Sequence, residues 1–174
     1  MIQDCQEKLS EKELHDKIAR YLSKFFTVTN EVKSTDGKRR IDMIIIHFTD
    51  EEMKYPVGIE IKINDKKRGK DLANWLKQAS DYTTKEFKGF GKCLIVTCPQ
   101  VSDYYLKEGE LMNQHETPTD CGQANNIGTF IGQFGIGEMQ KYDDKYFRIV
   151  FKGQIIWDSK YNNFNKANYD RLCR

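Results

Sequence analysis

Two apolar stretches decide the fold of this chain, RIDMIII at residues 40–46 and VGIEIKI at residues 57–63. Their β-branched residues favour extended backbone, and the side chains of a strand alternate between the two faces of a sheet. Each stretch also carries charge where its neighbours are apolar, with Asp42 in the first and Glu60 and Lys62 in the second. Because an unpaired charge is costly to bury, we predict that these three side chains belong to a functional site.

The loop between the two strands is short enough for a hairpin. A symmetric hairpin that folds about Glu51 places Asp42 directly opposite Glu60, and the Cβ atoms of such cross-strand neighbours lie roughly 4.5–5.5 Å apart. A register shift of two residues keeps both carboxylates on one face, whereas a shift of one residue separates them. The alternative is a structural hairpin in which Asp42 pairs with Lys62 and Glu60 lies exposed at the sheet edge.

Two adjacent carboxylates repel each other, and one of them is driven towards its protonated form unless a cation lies between them. A hard divalent cation such as Mg²⁺ resolves this conflict, with carboxylates, a backbone carbonyl and waters as its ligands. We therefore predict metal ligands at Asp42, Glu60 and the carbonyl of Ile61. Lys62 lies two residues beyond Glu60 on the same face and is then available to the reacting centre.

The residues around the hairpin predict a helix and a strand on each side of it. A capping box at residues 10–13 begins a helix that runs to about Phe25, and residues 26–33 favour a strand. A helical period over residues 67–86 and a short apolar strand over residues 93–98 follow the hairpin. A strand, a crossover helix and a second strand predict a right-handed βαβ unit.

The last part of the chain has a weaker pattern. The polar stretch 101–123 has no clear assignment, residues 127–134 are compatible with a short helix, and residues 136–157 predict a hairpin that turns at residues 143–144. The sequence shows no repeat and no linker. We therefore predict a single α+β domain over residues 1–174, built on a mixed β-sheet flanked by helices.

Composition limits the class of protein. The chain has 174 residues with 28 Lys plus Arg, 26 Asp plus Glu and 12% aromatic residues, which is typical of one folded domain and not of a disordered chain. A net charge of +2 argues against an indiscriminate nucleic-acid coat protein. No apolar run is long enough to span a bilayer and the N-terminal residues lack a signal pattern, so we expect a cytoplasmic protein without a membrane partner. Five cysteines without a C-x-x-C pair predict neither a zinc site nor a disulfide framework.

The charge is unevenly distributed along the chain. Residues 62–92 carry nine Lys or Arg against four acidic residues, a net charge of +5, whereas the remainder has a net charge of −3. This excess of positive charge lies beside the predicted metal site. Basic side chains there would contact the phosphates of a nucleic acid without reading its base sequence. For Lys77 a solvated helix face is a sufficient explanation. The residues that we predict to contact DNA are Lys66, Lys67, Arg68, Lys70 and Lys85.

Asp42, the loop and the triplet at residues 60–62 resemble the core motif of the PD-(D/E)XK nuclease superfamily, which has the restriction-endonuclease-like fold. The element order α-β-β-β-α-β is similar to the family core over residues 10–99. The C-terminal hairpin then belongs to a family-variable extension over residues 100–174. The proline that usually precedes the aspartate is Ile41 here.

The second helix adds an independent similarity. Residues 78–82 read Q-A-S-D-Y and resemble the Q-x-x-x-Y signature of the RecB-type branch. Gln78 and Tyr82 are one turn apart and flank the same edge of the helix. The resemblance implies that Gln78 positions Lys62 or a phosphate and that Tyr82 contacts the DNA strand. The alternative is that Tyr82 is a core residue and Gln78 a solvated one.

The resemblance also offers a third metal ligand. Residues 11–14 resemble the first-helix motif of archaeal junction resolvases, whose first glutamate helps to hold the metal, so Glu11 is a candidate. An acidic residue in the first turn of a helix is equally well explained by the helix dipole. Glu31 on the first strand is a lower-ranked rival. No iron–sulfur cluster is expected, because the downstream cysteine group that it needs is missing.

Together these residues and the resemblance imply metal-assisted hydrolysis of a phosphodiester bond. Mg²⁺ on Asp42 and Glu60, for which Mn²⁺ would substitute, activates water, and Lys62 orients that water or stabilises the transition state. We expect a DNA nuclease directed by structure or strand state, such as an exonuclease or a Holliday-junction resolvase, and a restriction enzyme stays open. A resolvase requires a homodimer. The alternative from another class is a non-cleaving nucleic-acid-binding or assembly module on the same fold.

Overall fold

The computed structural model describes residues 10–62, 69–98, 131–142 and 146–173. Residues 131–133 are helical. The other elements, in chain order, are α1 Glu11–Leu22, β1 Phe26–Lys33, β2 Arg40–His47, β3 Val57–Ile61, α2 Gly69–Tyr82, β4 Leu94–Cys98, β5 Ile136–Tyr142, β6 Tyr146–Phe151, β7 Gln154–Asp158, β8 Asn163–Phe164 and α3 Lys166–Leu172.

The eight strands of the described residues belong to one mixed sheet, and their order in space follows their order in the chain. The strands β1, β2 and β3 pair antiparallel. The strands β3, β4 and β5 pair parallel, and β5 to β8 pair antiparallel again. The helix α2 makes the long connection that the parallel pair β3–β4 needs. The expected mixed sheet with flanking helices is confirmed, and the sheet is larger than predicted.

Apolar side chains cover both faces of the sheet. Met43 and neighbouring strand residues form one buried cluster with Leu22 of α1. Ile44 and Ile95 form a second cluster with Trp75 of α2. Because successive residues of β2 point to opposite faces, the two helices pack on opposite sides. The strands β3 and β4 lie between them, and every residue of both strands is buried.

The first helix begins as the sequence predicts. The Ser10 Oγ accepts a hydrogen bond from the Glu13 N–H at 3.2 Å, and the Glu13 Oε2 accepts one from the Ser10 N–H at 2.7 Å. This reciprocal pair is the capping box. The helix ends at Leu22, three residues before the predicted end at Phe25.

The second helix is also shorter than predicted, since it ends at Tyr82 and not at Glu86. The hydroxyl groups of Thr83 and Thr84 donate to main-chain carbonyl oxygens three residues earlier, each at 2.8 Å. Such side-chain bonds compete with the hydrogen bonds of the helix. The helical period continues past this point in the sequence, but the backbone does not follow it.

The described C-terminal part of the chain contributes four strands to the sheet, two more than the predicted hairpin. The strands β5 and β6 form the predicted hairpin, and its turn residues lie outside the described residues. The strands β7 and β8 extend the sheet further. Trp157 of β7 is fully buried and packs against the rings of Phe25 and Phe26, with ring centroids 5.3 and 4.8 Å apart. The C-terminal strands therefore complete the core that α1 covers.

Two expectations for the middle of the chain fall largely outside the described residues. The stretch 101–123 lies there entirely, as does the first half of the helix expected over 127–134. Within the described segments, no helix has the length and apolar character needed to cross a membrane.

Candidate active site

Asp42 and Glu60 face each other across the β2–β3 hairpin. The ladder pairs Met43 with Ile59, and the same register continued by one residue sets Asp42 opposite Glu60. This register is the one that the sequence predicts for a symmetric hairpin about Glu51. The short loop and the two apolar runs were therefore sufficient to align the two carboxylates.

Asp42 lies where β2 separates from β3. Its Oδ2 accepts a hydrogen bond from the Ile61 N–H at 2.6 Å, so a side-chain oxygen takes the place of a main-chain acceptor. The Nε2 of His15, on α1, lies 3.3 Å from the Asp42 carbonyl oxygen. Burial raises the pKa of Asp42 above its ordinary value, although the Ile61 N–H and the Lys62 ammonium oppose this shift. The Asp42 carboxylate is thus held at the site through one of its oxygens.

Glu60 is buried without a hydrogen bond. Its exposure is 1%, and neither carboxylate oxygen accepts a hydrogen bond in the described part of the chain. Burial, reinforced by the Asp42 carboxylate, raises the pKa of Glu60 to about 8. The alternative in which Glu60 lies exposed at a sheet edge is wrong, because β4 pairs on the far side of β3 and sets Thr97 beside Glu60.

Lys62 follows β3 and directs its ammonium group back to the carboxylates. The Lys62 Nζ lies 3.5 Å from the Glu60 Oε1 and 3.6 Å from the Glu11 Oε1. Burial lowers the pKa of Lys62, but the carboxylates of Glu60, Glu11 and Asp42 outweigh that effect and leave the pKa above its ordinary value. The ammonium group is therefore charged at neutral pH, and its side chain keeps 32% exposure to solvent.

The donor set fits a hard divalent cation. Glu60 offers two buried oxygens without hydrogen-bond partners, and the Asp42 carboxylate is fixed beside it. Oxygen ligands of this kind suit Mg²⁺, and a cation between them removes the repulsion that contributes to the raised pKa of Glu60. Among the described residues, no three His, Cys, Asp or Glu side chains are grouped closely enough to hold a metal. The described residues therefore offer two carboxylates, Asp42 and Glu60, to such a cation.

The two candidates for a third carboxylate have different surroundings. Glu11 reaches the site, but the group that it contacts is the Lys62 ammonium. Glu31 pairs instead with Arg40, at 3.3 Å between Oε2 and Nη1, and both side chains are exposed. Glu31 also has a φ of 53° and interrupts the β1–β2 ladder at the level of Asp42. The structure therefore brings Glu11, and not Glu31, to the site.

Gln78 and Tyr82 form a hydrogen-bonded chain to the strand that carries Asp42. The Gln78 Nε2 donates to the Tyr82 Oη at 2.7 Å, and the Tyr82 Oη donates to the Arg40 carbonyl oxygen at 2.7 Å. Burial raises the pKa of Tyr82 to about 12. The predicted DNA contact by Tyr82 does not agree with this arrangement, because its side chain is fully buried and its hydroxyl is already bonded. Tyr82 instead ties α2 to β2.

The structure describes only some of the basic residues that are expected to contact DNA. Lys70 lies in α2, and of its side chain nothing is described. The Lys85 Nζ pairs with the Asp36 Oδ2 at 2.9 Å, so a phosphate at Lys85 would compete with a carboxylate. The remaining three lie outside the described residues: Lys66, Lys67 and Arg68.

The sequence reasoning missed two features near the site. His15 does not lie at the spacing from another histidine that two metal ligands usually have. It follows Glu11 by four residues, however, and that spacing places both side chains on one face of α1. A polar groove of about 570 Å³ lies beside Gln78, between α2 and Arg39. Arg39 and Gln78 are far apart in the chain, so no local pattern connects them.

Comparisons with known proteins agree with this geometry at the level of the family. A family model described as the PD-(D/E)XK nuclease superfamily matches residues 1–172. No curated protein and no solved structure matches the chain in the corresponding comparisons. The family match includes the C-terminal strands as well as the hairpin that carries Asp42 and Glu60.

Proposed function

The chain belongs to the PD-(D/E)XK nuclease superfamily, and from this premise we propose that it is a metal-dependent DNA nuclease that hydrolyses phosphodiester bonds. The observation that carries the proposal is Glu60, whose buried carboxylate lies beside Asp42 and has only the Lys62 ammonium, at 3.5 Å, to offset its charge among the described residues. Buried polar atoms without a hydrogen bond are uncommon in native proteins, and a bound cation is one of the explanations for them.

Asp42, Glu60 and the Ile61 carbonyl oxygen would hold the cation, which we propose to be Mg²⁺ with Mn²⁺ as a substitute. When bound, such a cation would lower the pKa of a coordinated water and neutralise charge on the phosphate. The Ile61 N–H holds the Asp42 carboxylate in position for this role.

Lys62 supplies the positive charge at the reacting phosphate. Its ammonium group lies beside Glu60, and preorganised charge of this kind stabilises the transition state of phosphoryl transfer. The three ammonium protons also allow it to orient the attacking water. For Glu11 we propose a role at this ammonium group, because that is the contact its carboxylate makes.

Gln78 and Tyr82 support an assignment to the RecB-type branch, which we propose on the Q-x-x-x-Y spacing. The hydrogen bonds from Gln78 to Tyr82 and from Tyr82 to the Arg40 carbonyl position α2 against the strand of Asp42. In this role Gln78 remains available to a phosphate at the surface, while Tyr82 acts inside the core.

We propose that cleavage depends on DNA structure or strand state, as in an exonuclease or a Holliday-junction resolvase. The sequence contains no pattern typical of base readout, and basic side chains on the following segment would contact phosphates alone. A resolvase would act as a homodimer, so the molar mass measured by light scattering distinguishes a resolvase from an exonuclease. A strictly monomeric protein would argue against the resolvase and favour the exonuclease.

The test is cleavage of labelled linear, single-stranded and four-way-junction DNA, each with Mg²⁺ and with EDTA. We expect Mg²⁺-dependent cleavage by the wild-type chain. We also expect a loss of about 100-fold or more in Asp42→Asn and in Lys62→Ala, since removal of one preorganised charge costs about 10²–10³ in rate. A matched RNA substrate reports the choice of nucleic acid.

The controls are Asp170→Asn and Lys54→Ala, which change the same types of charge at exposed positions outside the site. Both should cleave like the wild type. Cleavage that persists unchanged in Asp42→Asn or Lys62→Ala would refute the assignment of the site. Failure of the wild-type chain to cleave any substrate, with DNA binding retained, would favour the non-cleaving module.

A further inference from the structure

The polar groove beside Gln78 is a second feature of the α2 surface. Its volume is about 570 Å³, and its lining includes Arg39, Asn74, Lys77, Gln78 and Asp81. Every residue that lines it is polar. Three of the lining residues are charged, and two of these, Arg39 and Lys77, are cations, so the groove favours an anionic ligand.

Two cations in the groove are positioned to bind an anion. Lys77 is exposed, and no carboxylate in the described part of the chain pairs with it. The Arg39 Nε pairs with an Asp81 carboxylate oxygen, while its two terminal nitrogens have no acceptor among the described residues. Asp81 thus holds the guanidinium by one edge and leaves the terminal nitrogens for a ligand, and a guanidinium matches the oxygens of a phosphate well.

Hydrogen bonds connect the groove to the strand that carries Asp42. Gln78 lines the groove, and its Nε2 donates to the Tyr82 Oη, which in turn donates to the Arg40 carbonyl oxygen. Arg40 follows Arg39 directly and precedes Asp42 by two residues. The same short segment therefore carries a groove cation at one end and a site carboxylate at the other.

We propose that this groove binds the sugar–phosphate backbone of the DNA strand on one side of the scissile phosphate. Arg39 and Lys77 contact phosphates, and Asp81 positions Arg39. The identity of the ligand rests on the proposed nuclease function, whereas the anion-binding groove is a separate claim about Arg39 and Lys77. It also assigns Lys77 a role that its sequence context does not indicate.

The test measures DNA binding without cleavage. The 174-residue chain with Glu60→Gln, in EDTA, is titrated against a fluorescent single-stranded oligonucleotide and followed by anisotropy. Arg39→Ala and Lys77→Ala in this background should each raise the Kd about threefold to tenfold, and each should reduce the salt dependence of log Kd by about one phosphate contact. Lys54→Ala is the matched control, because it also removes a cation from an exposed ion pair, with Glu52, on the β2–β3 loop. Its Kd should change less than twofold.

Several results would overturn the proposal. Groove variants that bind like Lys54→Ala would do so, and so would a Glu60→Gln chain that binds no oligonucleotide. Lys77 is exposed, so its replacement remains informative even if Arg39→Ala is unstable.

The nuclease proposal is tested separately with the wild-type active site and Mg²⁺. Cleavage together with unaffected groove variants rejects the groove and keeps the nuclease. Groove-dependent binding by a chain that never cleaves rejects the nuclease and keeps the groove.

Discussion

At the scale of single residues, the site depends on Glu60. A charged carboxylate that is buried without a hydrogen bond is unfavourable by several kcal/mol, and the folded protein accommodates it by favouring the protonated form. The Lys62 ammonium offsets only part of this effect, since the pKa of Glu60 remains raised in its presence. The folded chain therefore disfavours the charged form of this carboxylate, and a bound cation would favour it.

We expect the stability of the metal-free protein to fall as the pH rises from about 5 to about 8. The pKa of Glu60 is raised from 4.5 to about 8 in the folded state. Between these values the folded state keeps a proton that the unfolded state has released, so the free energy of unfolding decreases with pH. The slope from this one group is at most about 1.4 kcal/mol per pH unit.

Urea unfolding in EDTA across this pH range measures the slope. Glu60→Gln cannot ionise at this position and should show a flatter dependence than the wild type. Equal slopes in the two proteins would show that Glu60 is ionised in the folded state and would contradict the expectation.

At the scale of elements, the position of β3 depends on a close approach at Gly58. This glycine pairs with Ile44 of β2 and with Ile95 of β4. A Cβ atom at residue 58 would lie 2.6 Å from the Ile41 Cδ1 and 3.0 Å from the Ile95 Cδ1. A larger residue here would force the tips of the Ile41 and Ile95 side chains to shift, two residues before Glu60.

Gly58→Ala should destabilise the protein by about 1–3 kcal/mol through overpacking. Ile41→Val removes the Cδ1 that the new methyl group would meet, and by itself should cost about 0.5–1.5 kcal/mol. The double variant should then be more stable than the sum of the two single effects predicts, because the two changes compensate. Denaturant unfolding of the wild type, the two single variants and the double variant measures this coupling. Strictly additive effects would argue against the contact.

At the scale of the whole molecule, one apolar cluster joins the beginning of the described chain to its end. It extends from Ile18 of α1 through the central strands to Tyr169 of α3. The Tyr169 Oη donates to the Pro56 carbonyl oxygen at 2.6 Å, which ties α3 to the start of β3. The C-terminal strands and helix share this core with the hairpin of the site.

Trp157→Ala should therefore lower the free energy of unfolding of the entire chain, by about 3–5 kcal/mol. Ile155→Ala, on the same strand but at an exposed position, should cost much less. Far-UV circular dichroism and Trp75 fluorescence should report one coincident transition, as a single cooperative domain requires. Separate transitions would show that the C-terminal part unfolds independently, against the prediction of one domain over residues 1–174.

Much of the hairpin could be derived from local sequence. Strand alternation and loop length predicted the register that aligns Asp42 with Glu60, because a symmetric hairpin leaves few registers open. The capping box predicted the start of α1, because the bonds between Ser10 and Glu13 span only three residues. The same short range explains why Gln78 and Tyr82 were recognised as neighbours.

Contacts between distant segments decided the rest. Pairing of β4 beside β3 buries Glu60, packing of α2 on β2 buries Tyr82 and engages its hydroxyl, and the approach of α1 brings His15 to Asp42. The sequence by itself determined which carboxylates align, since that depends on alternation and on one turn. Only the tertiary structure decided which side chains are buried and which remain accessible to a ligand, because burial depends on elements that pack from elsewhere in the chain.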